Sequence, residues 1–146
     1  MSDLRIQQME IGDKFVTPPI MVTKTDIDNF CAISNMRFPL FLSDQYAVND
    51  EEINQLVKLK GAIVPGQLSF AIFMGNLVNS RLLDDVVFQL GTDGLKWPAP
   101  AYPFDELRTE IEIKNKKPTK AGTVIVEFDW WLKNQDNVVV CQGHNT

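Results

Sequence analysis

This chain has one histidine and two cysteines, and neither type occurs in a familiar catalytic pairing. His144, the single histidine, stands beyond the last apolar run, where a solvated, frayed tail is expected rather than a catalyst. Cys31 and Cys141 sit inside regular-looking apolar segments and read as reduced packing residues. No CxxC or HxxxH spacing supports zinc or haem, so no metal or cofactor is expected. Asp44 has two readings: a carboxylate that takes a proton from water, or a cap for the short turn through Gln45, Tyr46 and Ala47. The remaining candidate is backbone. Pro65 and Gly66 open a helix whose first amides have no helical acceptor and face whatever binds there.

That helix, PGQLSFAIFMGNLVNS from Pro65 to Ser80, is apolar on nearly every side, so the pattern predicts that it is enclosed. Upstream, Phe15 to Val22 is β-rich but broken by Pro18 and Pro19, which marks an edge or irregular strand. Thr23 and Asp26 form a capping box for a short amphipathic helix ending near Ser34. The next stretch, NMRFPLFLSDQYA, lacks a period and reads as a loop with one helical turn at its end, and Asp50 to Lys60 reads as a surface helix. Strands are expected at Val86–Leu90, Leu95–Trp97, Leu107–Lys114, Thr123–Leu132 and Val138–Gln142, joined late in the chain by turn residues into an antiparallel meander.

Leu107, Thr109, Ile111 and Ile113 alternate with Arg108, Glu110, Glu112 and Lys114, the mark of a sheet with one wet face. A one-faced sheet and an all-round apolar helix combine most simply as an α+β hot-dog, an antiparallel sheet curled around the helix. The alternative, a helix lying flat on the sheet, leaves its outer half for a second subunit. Adjacent Trp130 and Trp131 must point to opposite faces, so Trp131 and the region of Phe88 and Trp97 are candidate contact surfaces.

The 146 residues, 45% of them hydrophobic, suit one domain over residues 1–146. A net charge of −5 argues against nucleic acid or an anionic membrane as partner. Neither a leader-like block nor a spanning run is seen, so a cytoplasmic protein is expected.

The segments IGDKF, TKTDIDNFCAIS, SNMRFPLFLSDQYA, IVPGQL, YPFDELR and KNQDNVVV occur in the order found in the MaoC-like hot-dog family, which the chain resembles over most of its length. That family includes (R)-specific enoyl-CoA hydratases and acyl dehydratases. Its loop signature runs Ser-Gly-Asp, then Pro, then His. Laid on this chain without a gap, Ser34 and Pro39 match, Asn35 takes the glycine position, Met36 the acid position and Phe41 the histidine position. Neither Met nor Phe can transfer a proton. Gly66 matches the glycine at the helix entrance, whose amide in the family can receive the thioester carbonyl.

The resemblance therefore implies an acyl-thioester (acyl-CoA) binding protein or non-catalytic hydratase-like subunit, with Gly66, Gln67, Asn35, Met36 and Phe41 around the substrate. The resemblance also implies assembly as a homodimer, or as a heterodimer with a catalytic paralogue. An active hydratase or thioesterase with Asp44 as relocated base, and an interaction module without thioester binding, are the competing readings. Met36, Phe38, Leu40, Phe41 and Leu42 either line a dry acyl pocket or plug it, and Lys114, Lys116, Lys117 and Lys120 either meet coenzyme A phosphates or form a solvated turn.

Overall fold

The computed structural model describes residues 3–146. Its sheet is built on β4 (Glu106–Pro118), whose inward positions Leu107, Thr109, Ile111 and Ile113 are almost wholly shut from solvent, as the alternation predicts. β5 (Val124–Lys133) returns antiparallel along it after a turn in which Gly122 adopts φ +84°. β6 (Val139–Asn145) pairs with β5 through a turn held by Asn134, whose Oδ1 accepts from the amides of Asp136 and Val138. β3 (Thr92–Lys96) closes that side on β6, while β1 (Lys14–Val16) and β2 (Ile20–Met21) flank β4. The order is β1-β4-β5-β6-β3, all antiparallel, with β2 also on β4.

Helix α1 (Lys24–Ser34) begins with the expected box: Asp26 N donates to Thr23 Oγ1 and Thr23 N to Asp26 Oδ2. Those bonds hold the Asp26 carboxyl below its ordinary value. The segment read as a loop with one turn is instead two short helices, α2 (Pro39–Leu42) and α3 (Asp44–Asn49). Pro39 fits the first position of α2, and Ser43 caps α3 by accepting from Tyr46 N. Helix α4 (Glu51–Leu56) is shorter than the pattern implied, because Asn54 folds over its end. The Asn54 amide donates to the carbonyls of Ala47 and Asp50, and its oxygen accepts from Leu59 N.

Helix α5 (Gly66–Asn79) lies across the inner face of the sheet. Phe73 stacks on Trp130 with ring centroids 3.6 Å apart and planes 9° from parallel, with Phe70 and Phe128 beside them. Gly143, opposite Trp130 on β6, makes this possible: a Cβ there would meet the indole at 2.9 Å. A buried polar cluster completes the seat. Asn76 donates to Leu107 O and Thr109 Oγ1, Thr109 Oγ1 donates to Phe73 O, and Thr17 and Thr109 exchange bonds.

Three further expectations need correction. The chain encloses α5 on one flank only: Ile72, Phe73 and Leu77 are buried, whereas Ala71, Gly75 and Val78 are exposed, so the outer half is left open. Val86–Leu90 is not a strand, because no neighbour offers it a ladder; Val87 and Phe88 are about three-quarters exposed, and Leu90 N donates to Thr146 O. His144 is no frayed tail residue. It lies in β6 with Nδ1 2.7 Å from Asp129 Oδ1 and Nε2 3.2 Å from Glu127 Oε1, on the outer face.

The hydrogen bond to Asp129 raises the His144 pKa, while bonds from Asn115 and His144 lower that of Glu127. A raised histidine contributes stability below its unfolded value near 6.5 and loses it as pH climbs through the folded value; a lowered carboxylate loses its contribution as pH falls below about 4.5. Urea unfolding of wild type and His144→Gln should therefore differ most between about pH 5 and 6.5 and converge in mildly alkaline buffer.

Candidate functional site

The approach to α5, residues 61–66, is fastened on several sides, and this brings the entrance elements together. Ile63 N donates to Leu40 O of α2, Val64 N to Ala101 O, and Ala62 N to Asp44 Oδ1 at 2.8 Å. Trp97, just past β3, donates its indole N–H to Gly66 O at 2.8 Å. Pro65 occupies the cap position, and the next amides to reach a chain acceptor are those of Leu68 and Ser69, both on Pro65 O. The N–H groups of Gly66 and Gln67 meet no acceptor among the described residues. Two unpaired amides at the positive end of a fourteen-residue helix form a donor pair for a carbonyl or oxyanion.

Glycine at 66 has a steric cause as well. A Cβ at that position would lie 2.7 Å from Trp97 Nε1 and 2.8 Å from Cε2, so the indole covers the entrance only because no side chain is there. Gln67 follows on the exposed side. Trp97 is the site residue that sequence reasoning placed only in a contact region. Its signal was the run of Trp97 and Pro98 after a strand, which does not reveal a partner 31 positions away.

Phe41 is half-buried and packs against the core, with Phe38 edge-on to it at 5.7 Å and also against Tyr46. Met36 is half-buried, its amide 3.4 Å from Ser34 Oγ, and Asn35 is the exposed left-handed cap of α1 at φ 60°. No hydrogen bond joins Asn35 to residues 61–66 among the described residues. Asp44 does not cap α3, a task that falls to Ser43; its carboxylate instead receives Ala62 N and lies against Gly61. The thiol of Cys141 is fully buried, and burial pushes its pKa up to about 12, which removes it as a nucleophile. Burial also raises Cys31. Among the described residues no three His, Cys, Asp or Glu side chains cluster in a way that could hold a metal, and no helix is long and apolar enough to cross a membrane.

Residues 6–129 match the family model described as MaoC like domain. The chain is 28% identical over 141 residues to the uncharacterized protein YdeM of Bacillus subtilis (strain 168), spanning 96% of this chain and 94% of that protein. The solved MaoC-like dehydratase from Rhodospirillum rubrum superposes with a TM-score of 0.81 at 26% identity, covering 97% of this chain and 93% of that one. The (R)-hydratase from A. caviae involved in PHA biosynthesis shares the fold at TM-score 0.76 and 22% identity, over 95% and 96% of the two chains.

Gly66→Ala should displace the Trp97 indole and cost about 1–3 kcal/mol in urea unfolding. In a Trp97→Ala background the same substitution should cost much less; equal penalties in both backgrounds would mean that the two residues do not press on one another.

Proposed function

This chain belongs to the family described as MaoC like domain, and on that footing we propose that it is an acyl-thioester-binding protein, acyl-CoA being the simplest ligand, in which hydratase catalysis has been lost. One observation carries the reading. The stretch from Ser34 to Ser43 that borders the helix entrance presents Asn35, Met36, Arg37, Phe38, Leu40 and Phe41, and so offers no carboxylate or imidazole to take or give a proton. Hydration of an enoyl thioester takes a proton from water and delivers one to the α-carbon. Loss of general acid–base assistance alone forfeits about 100- to 10,000-fold in rate.

What remains supports binding. The Gly66 and Gln67 amides are free to receive a thioester oxygen, and the rings of Phe38 and Phe41 make the neighbouring wall apolar. A second subunit laid on the open flank of α5, identical or a catalytically competent paralogue, would supply the enclosure that the apolar pattern of the helix demands. The protein then acts in the cytoplasm as the passive half of a two-subunit site.

The competing enzyme reading makes Asp44 the base. It has one observation in its favour, the nearness of that carboxylate to the entrance through Ala62, but the same bond already occupies an oxygen.

Purified protein mixed with crotonyl-CoA and with saturated acyl-CoAs separates these readings. The expected outcome is a rise in unfolding temperature that grows with ligand concentration, without consumption of crotonyl-CoA above background. Turnover that disappears in Asp44→Ala would restore an active enzyme, and no thermal shift with any acyl-CoA would leave an interaction module.

A further inference from the structure

Trp97 stands beside the entrance of α5 in an unusual setting for a tryptophan. It is 43% exposed and lies outside the core cluster, so burial accounts for only part of its hold on the helix. The chain around it is nonetheless braced. Leu95 packs against the core, Lys96 pairs with Gln142, and Ala101 O receives Val64 N. The Tyr102 hydroxyl accepts from Lys60 N, and Tyr102 N donates to Asp105 Oδ2. From this braced loop the indole N–H reaches one backbone oxygen, Gly66 O, at 2.8 Å.

That oxygen belongs to the same planar peptide unit as the Gln67 N–H, and the trans geometry points the two in opposite directions. The indole therefore engages the carbonyl end and leaves the N–H end, which meets no acceptor among the described residues, to a ligand. A hydrogen bond received by a carbonyl oxygen polarises its peptide unit and makes the N–H at the other end a stronger donor. The indole also restrains a loose position. Glycine has the widest backbone freedom of any residue, and Gly66 opens the helix, where its own amide has no helical acceptor. The ring fills the space that a Cβ would take, and its N–H holds the oxygen.

Resting on the reading of this entrance as a thioester site, we infer that Trp97 is a positioning residue: it aims and strengthens the Gln67 N–H, and so lets the site select a ligand with a thioester carbonyl over one that lacks it. The donor pair exists without the indole. What the indole adds is a fixed aim, and donors held in place discriminate better than donors that must be ordered on binding. Trp97 does not itself donate to the ligand, because its one N–H is spent on Gly66 O.

The test compares hexanoyl-CoA with S-hexyl-coenzyme A, a thioether with CH₂ in place of the thioester C=O, by calorimetric titration of wild type and of Trp97→Phe, which keeps a ring and removes the N–H. Wild type is expected to bind the thioester about fivefold or more tighter than the thioether, and the preference to shrink to about twofold or less in the variant, with thioether affinity unchanged. In the ligand-free variant the ¹⁵N resonance of the Gln67 amide is expected to move upfield, because the carbonyl of its peptide unit has lost a hydrogen bond. A preference unchanged in Trp97→Phe would overturn the inference and leave the thioester reading standing. So would a Gln67 nitrogen that does not move, or an equal weakening of both ligands, which would make Trp97 no more than a wall. Wild type that binds both ligands equally, or neither, would instead remove the thioester reading, and the inference with it.

Discussion

The face-to-face stack of Phe73 on Trp130 sets the position of α5 on the sheet, and the rest of the molecule takes its geometry from that contact. Truncation of a buried Phe in such a setting removes about 3–5 kcal/mol, a large part of the stability of a domain this size. Gly143 on the neighbouring strand leaves room for the indole, and Asn145 secures its N–H. Rotation of the helix about its axis is blocked independently by Asn76, whose amide reaches two acceptors on β4. With α5 held in rotation and height, its first turn is delivered to the same place as Leu40, Asp44, Ala101 and Trp97.

That placement ties the donor pair to the backbone rather than to any one side chain. The donor pair at Gly66 and Gln67 is a property of backbone and helix direction, so it survives any side-chain replacement that keeps the helix seated. The side chains that border that donor pair stand on a separate segment between α1 and α3. In that segment Phe41 packs against the core and Phe38 lies edge-on to it, burial that a polar side chain at either position would forfeit.

The elements most legible in the sequence were those whose pattern is set by local physics. The Thr23–Asp26 box, the alternation along β4 and the apolar run of α5 each announce themselves without knowledge of a partner. Val86–Leu90 misled because β-branched composition does not create a strand where no ladder is on offer. His144 misled because its neighbours in space, Glu127 and Asp129, are 17 and 15 residues away and meet it only through the pairing of β5 and β6. The Trp97–Gly66 and Asp44–Ala62 bonds were invisible for the same reason, since each depends on where a distant segment docks. The order of local strings carried the family, while the reach of single side chains did not.

The central claim is that this chain kept the binding half of a hydratase site and lost the proton-moving half. Its most direct test is a steady-state assay of crotonyl-CoA hydration by the double variant Met36→Asp/Phe41→His beside wild type, with both shown to be folded. The account predicts a negligible wild-type rate and a gain of about 100-fold or more when both groups are restored. Vigorous hydration by the wild-type chain would contradict it.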